Sequence, residues 1–228
     1  MDQHPQSHTP LQSAKSLHEI VVIGGGGHAK VVISILRKLH SYAILGYTDR
    51  KDHGAVLGIP FLGSDRELNA LAVGEKTVAA VLGVGQVGLG EARCELWTKL
   101  QSELPSLSLP SIVSPDAIVN EEVSLGAGAV VMDGAVINSG TRIGRGAIVN
   151  TNSTVEHDVT LEDWVHVAPG ATISGGVTIG RFSMIGAGAT VIEGTNLGAG
   201  CMVGAGAGVV RDLTDPGVYV GSPARRIK

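Results

Sequence analysis

The sequence predicts two fold classes in one chain: an α/β unit with a Rossmann-like βαβαβ parallel sheet over residues 18–110, then an all-β parallel β-helix over residues 111–228. Two observations carry this. From Glu19 to about Pro110, short apolar runs alternate with amphipathic stretches, the pattern of strands joined by crossover helices. From Val113 to Val209, every sixth residue is Val, Ile or Leu without exception, seventeen positions in a row. A six-residue period fits neither a 3.6-residue helix nor simple strand alternation, and it requires a coil with flat sides.

The first seventeen residues are polar and lack an apolar h-region, so they read as a flexible tail and not as a secretory signal. In the α/β unit, EIVVIG is a short buried strand. The stretch HAKVVISILRKLH repeats Val31, Val32, Ile35, Leu36 and Leu39 at helical spacing. AILGYTD is the next strand, SDRELNALA a helix, TVAAVLGVG a strand and GEARCELWTKLQSEL a helix. The boundary to the second unit falls near Pro110 to Pro115, after which amphipathic stretches vanish and Gly and Val dominate.

In the second unit each hexapeptide supplies a short strand with its branched aliphatic pointing inward. A small residue two positions earlier lets the chain turn, and Gly or Asn supplies unusual corner angles. Three hexapeptides, 18 residues, complete one triangular turn, and successive turns stack about 4.8 Å apart as parallel strands. The 102 residues from Ile112 to Leu213 make five to six turns.

Composition narrows the function. Hydrophobic residues reach 43%, yet Gly and charged residues break every apolar run short of the roughly 18 residues of a spanning helix. The chain therefore reads as soluble, without membrane insertion. A net charge of -4 without basic clusters, and few Trp and Phe, argue against nucleic acid. Cys94 and Cys201 lie in different units and suggest no disulfide framework, which suits a cytoplasmic location.

Because residues 18 apart share a column, the repeat predicts which side chains meet. Only two of eight histidines, His157 and His166, fall within it, both at outward positions. The His157 column reads Ser139, His157, Gly175, Glu193, Arg211. Gly175 is thus expected one turn above His157, leaving space and an exposed N–H where a thioester carbonyl could sit, an oxyanion-hole arrangement. Asp158 could orient the imidazole or raise its basicity; a solvated His-Asp pair on a corner fits the spacing as well. A zinc site on such a coil needs three histidines and this unit has two, so no metal is expected. Gly186, Ala187 and Gly188 stack under Gly204, Ala205 and Gly206, a flat small-residue surface suited to an extended pantetheine arm, unless the glycines only serve corners.

The motif GGGGHAK follows the first strand. Gly24, Gly26 and Ala29 satisfy G-x-G-x-x-A, and Asp49 ends the second strand, as in dinucleotide sites. Such a turn at a helix N-terminus holds phosphates through unpaired N–H groups, and His28 could add a pyrophosphate contact. Only about 90 residues are available, so a mononucleotide or nucleotide sugar fits better than NAD.

Taken together, strand-GGGGHAK-helix, GYTD followed by GIPFLGS, IVNTNSTVEHD, the coil and the tail VYVGSPARRI resemble one family over residues 18 to 228. It is the hexapeptide-repeat family of nucleotide-sugar N-acetyltransferases that includes the bacillosamine and perosamine enzymes, with NeuD-type sialic acid O-acetyltransferases as relatives. The resemblance implies a left-handed coil, acetyl-CoA as co-substrate, a homotrimer with active sites between neighbouring coils, and service to surface-glycan biosynthesis. It implies His157 as general base with Asp158 in support. It implies His166, Gly175, Ala187 and Ala205 along acetyl-CoA. Gly26, Gly27, His28 and Asp49 correspond to nucleotide-sugar contacts, and Asn150 to an asparagine near the sugar. The family often carries a second acid where this chain has Arg50, so the resemblance leaves the nucleotide base open. The expected reaction is acetylation of the 4-amino group of a nucleotide-linked amino-dideoxy sugar. The alternatives are sugar or sialic acid O-acetylation, a non-catalytic nucleotide-sugar-binding protein and, more remotely, an NAD-dependent enzyme.

Overall fold

A computed structural model describes residues 17–71 and 78–228. The tail proposed for residues 1–17 lies outside the described residues except for Leu17. The first unit runs β1 (His18–Ile23), α1 (Gly27–Leu39), β2 (Tyr42–Thr48), β3 (Phe61–Gly63), α2 (Leu68–Leu71), β4 (Ala79–Leu82) and α3 (Glu91–Glu103). Its parallel sheet has the order β3-β2-β1-β4, as the strand-helix alternation predicts. Two local readings change. The helix expected over SDRELNALA is a 3-10 turn, Asp65–Glu67, followed by the one-turn α2, with Ala72 outside the described residues. The segment GIPFLGS adds β3, which pairs with β2 at the sheet edge.

The second unit is a left-handed β-helix of three faces, with eight, six and five strands, all parallel except the last strand of the eight-stranded face, Arg225–Arg226, which pairs antiparallel. Registers advance by 18 residues, as in Ile148 against His166 and His166 against Met184. The inward aliphatics from Val131 to Val209 form one continuous core with Ala129, Ala135, Ala147, Ala171, Ala189 and Ala207. The corners follow the same clock. Every sixth residue from Glu122 to Gly206 has positive φ, fifteen positions of which ten are glycine. Glycine takes this left-handed conformation without a Cβ penalty. Asn152 and Asp158 also hold it, and so do the bulky Trp164 and Phe182, where it costs of the order of 1 kcal/mol or more.

The two units pack into each other. The outward column of the eight-stranded face begins Ile112, Val130, Ile148, and these join the core built from β1, α1 and β2. Trp164 joins the other core of the α/β unit, beside Trp97, Leu100 and Leu82, with Phe182 packed against it. Their contacts there explain why two aromatic residues occupy corners where glycine would be unstrained. Backbone bonds complete the joint: Gly90 N–H donates to the Phe182 carbonyl at 2.9 Å. The Lys38 ammonium on α1 reaches Asp116 at 2.7 Å and Asp133 at 2.6 Å on the coil.

Candidate functional site

The glycine loop is built by its neighbours. Gly24 has φ +104°, and a Cβ on Gly25 would run into the Tyr47 ring. Around Gly26 and Gly27 a Cβ would meet nothing within 4 Å, so these two glycines face open space at the start of α1. Asp49 accepts a hydrogen bond from Gly25 N–H at 2.7 Å, and His53 lies 3.5 Å from its carboxylate. Burial works to raise the Asp49 pKa, but the N–H donors from Gly25, Lys51 and Arg50 and the His53 charge outweigh it and leave the pKa lowered. Asp49 is therefore an anion at neutral pH.

A cavity of about 540 Å³ opens between the two units. The α/β unit contributes Gly26, Gly27, His28 and Asp49, and the coil contributes Asn150 and His166. The residues matched to nucleotide-sugar contacts thus meet at one place. The expectation that His166 simply faces outward is half met. It points away from the coil core, but the docked α/β unit covers it and it is buried. Its Nε2 pairs with the Asn150 amide at 3.0 Å, while the Asn150 carbonyl oxygen accepts from Thr151 N–H, which orients the amide as donor to the ring. Burial first, and then the Arg93 charge, push the His166 pKa down to about 4, against an opposing pull from the Gln86 backbone. His28 is driven to about 3 by burial, Arg93 and His166. Both imidazoles are neutral at working pH, so His28 is not a cationic partner for pyrophosphate.

His157 is different. It follows the strand Thr154–Val155 on the six-stranded face and stands at the next corner, whereas Asn150 stands at the corner before that strand. One coil face separates it from the cavity, which it does not line. Its Nδ1 lies 3.0 Å from the Asp158 carboxylate, and its side chain is 58% exposed. The hydrogen bond to Asp158 raises its pKa, with further support from the charges of Asp158, Glu156 and Glu193. An Asn120–Asn138–Glu156 ladder holds the preceding column, with bonds of 2.7 and 2.8 Å.

Gly175 stacks on His157 as the register predicts: a Cβ there would come within 2.7 Å of the imidazole Nε2. The expected free space is corrected. The ring itself fills it, and Gly175 is buried, not exposed. Ala187, Gly188, Ala205 and Gly206 are exposed on the coil. Gly186 is buried because the next turn lies directly over it; a Cβ would meet Ala205 N and Val203 O at 2.6 Å. Among the described residues no three His, Cys, Asp or Glu side chains converge as a metal site, and no helix is long and apolar enough to cross a membrane.

Arg93 and Trp164 lie outside the sequence motifs. Arg93 sits on α3 inside a helical pattern without a motif. Trp164 carried a signal, since it takes a corner position where the repeat mostly places glycine.

This fold, with a glycine-loop cavity beside a hexapeptide coil, defines a class, the hexapeptide-repeat transferases. Residues 19–89 match the PglD N-terminal domain, and residues 140–175 match the bacterial transferase hexapeptide of six repeats. The chain is similar to perosamine N-acetyltransferase from Caulobacter crescentus, solved with CoA and GDP-perosamine. Identity is 36%, with 95% of this chain and 100% of that one covered, at a TM-score of 0.85. It is also similar to the acetyltransferase domain of PglB from Neisseria gonorrhoeae in complex with acetyl coenzyme A, at 35% identity, 93% and 100% coverage and a TM-score of 0.84. WeeI from Acinetobacter baumannii, 24% identical over 93% and 100% of the two chains, shares the fold at a TM-score of 0.78. No curated protein sequence matches. The chain belongs to the nucleotide-sugar N-acetyltransferase family of hexapeptide-repeat acyltransferases.

Proposed function

We propose that this protein transfers the acetyl group of acetyl-CoA to the 4-amino group of a nucleotide-linked amino-dideoxy sugar, in the cytoplasm, for surface-glycan assembly. The observation that carries the reading is the pairing of His157 with Asp158 on a coil that faces the nucleotide-type glycine loop of the α/β unit across a cavity. The likeness to an enzyme solved with CoA and GDP-perosamine supports it.

In this mechanism Gly26 and Gly27 receive the phosphates, Asp49 the nucleoside, and Asn150 and neutral His28 the sugar. The exposed stripe of Ala187 and Ala205 takes the pantetheine arm, and His166 faces the acetyl end from the cavity wall. His157 removes a proton as the amine attacks the thioester carbonyl, Asp158 stabilises the resulting imidazolium, and CoA leaves as thiolate. Gly175 supplies the room for the imidazole. His157 stands one coil face from the cavity in its own chain. A neighbouring copy must therefore bring its His157 to that cavity, as in a homotrimer of side-by-side coils.

Thiol release from acetyl-CoA, measured against UDP-, dTDP- and GDP-linked 4-amino sugars, tests the reading. One of the three should turn over far faster than its 4-hydroxy counterpart. Turnover only with hydroxyl acceptors would establish O-acetylation instead, and absence of acetyl-CoA binding by calorimetry would leave a nucleotide-sugar-binding protein.

A further inference from the structure

Behind the cavity lies a charged group for which this mechanism has no use. Arg93 is 2% exposed. Its Nε donates to the Val84 carbonyl at 3.1 Å and its Nη1 to the Gly146 carbonyl at 2.7 Å. Val84 belongs to the loop that walls the cavity on the α/β side, and Gly146 is a coil corner outside the cavity lining. The guanidinium stacks over the Trp164 ring, 5.6 Å from its centroid. Nη2 has no partner, and no carboxylate among the described residues lies within ion-pair distance.

A buried cation without an anion is costly, and carbonyl dipoles and an aromatic face only partly offset that cost. Burial pushes the Arg93 pKa down to about 10, which leaves it charged at neutral pH. The titratable groups facing it are His28 from α1 and His166 from the coil, both held neutral in part by its charge. The cavity's one carboxylate among the described residues, Asp49 at the end of β2, is engaged by Gly25 N–H and lies beside His53. An acceptor amine in this cavity meets neutral imidazoles backed by a fixed positive charge.

We propose that Arg93 is a specificity-determining positioning residue of the acceptor cavity: buried behind its wall, held by one carbonyl of each unit and without a counter-ion among the described residues, it makes the site take a 4-amino sugar as the free amine and exclude the ammonium form. This rests on the acceptor reading above. The consequence is chemical, because only the free amine has the lone pair that attacks a thioester. The proton is shed to solvent on binding, and His157 then removes the second proton as the C–N bond forms.

Calorimetry without acetyl-CoA tests this before any chemistry occurs. GDP-, dTDP- and UDP-linked 4-amino-4,6-dideoxy sugars and their 4-hydroxy counterparts are titrated into the full chain below the amine's own pKa, in buffers of different ionisation enthalpy. The amino sugar that binds should release about one proton relative to its 4-hydroxy counterpart, and its affinity should fall about tenfold per pH unit. Arg93→Met and Arg93→Gln should bind the ammonium with little proton release and a flattened pH dependence, while Arg93→Lys keeps the release. Removing an unpaired buried charge lifts a desolvation cost, so at least one neutral variant is expected to fold. Binding by the wild type without proton release overturns the proposal with no variant needed, as does equal release by a folded neutral variant. If neither amino nor hydroxy sugars bind, the acceptor reading itself fails and takes the proposal with it.

Discussion

His157 and His166 lie nine residues apart on the same coil, and their surroundings drive them in opposite directions. His157 stands on an open corner with Asp158 at 3.0 Å, and its pKa is raised. His166 lies under the docked α/β unit, paired with the Asn150 amide and within reach of the Arg93 charge, and its pKa falls to about 4. One imidazole is ready to accept and hold a proton, while the other is fixed as a neutral hydrogen-bonding group. The same residue type is thus tuned toward the proton-holding form at one place and the neutral form at the other, and the carboxylate and the burial decide which.

The comparison breaks most completely at His157. His157→Asn should lower kcat by about 10²- to 10⁴-fold, the usual contribution of a positioned general base, and leave the thermal midpoint unchanged because the side chain is exposed. Thiol release and a melting curve on the same preparation check both halves. Near-normal turnover would end the role proposed for His157.

The wall is a matter of packing. Trp164→Ala should cost about 3–5 kcal/mol of stability as a fully buried indole is lost, with no relief of strain, because alanine keeps the Cβ that strains a corner at φ 62°. Denaturant unfolding measures it. Trp164→Gly, which removes the same contacts and the whole strain, should be no worse than alanine there.

The two histidines should also tilt stability against pH with opposite signs. The folded-state pKa of His166 lies below the unfolded value, so unfolding takes up a proton and stability falls as pH drops from about 6.5 to about 4. His28 extends the loss to about pH 3. His157 has a raised pKa, so its contribution has the opposite sign, present below about 6.5 and lost as pH rises through its folded-state value, but on an exposed side chain solvent screens it to a small effect. Denaturation midpoints for His166→Gln between pH 4 and 7 should show a flatter slope than the wild type. An unchanged slope would place the burial penalty elsewhere.

The smallest effect concerns Asp158. Asp158→Asn removes the largest cause of the raised His157 pKa, so the acid limb of the pH-rate profile should move to lower pH. Turnover near neutrality should fall as the imidazolium loses its partner, by less than the loss from removing His157 itself. Stability should scarcely change, since asparagine also tolerates the left-handed corner that Asp158 holds at φ 58°.

The coil was legible residue by residue. The inward column from Val113 to Val209 and the 18-residue register that stacks Gly175 on His157 both follow from local periodicity, because each turn repeats the same backbone geometry. The docked face was not distinguished: its outward column Ile112, Val130, Ile148 is aliphatic, but the six-stranded face also begins with Ile118 and Val136 before Thr154. The edge strand β3 was missed because three residues show no period, and SDRELNALA made only a single α-helical turn within the described residues.

What the sequence alone determined is therefore the coil, the glycine loop and the 18-residue register that sets which side chains stack. What only the tertiary structure decided is their electrostatic state. The burial of His166, the depressed pKa of His28, the filling of the space over Gly175 and the unpaired charge of Arg93 depend on side chains far apart in sequence that meet when one unit docks on the other. Periodicity records which way a residue points from its own backbone. It carries no information about what comes to lie against it, and desolvation and Coulomb interactions depend on that neighbour.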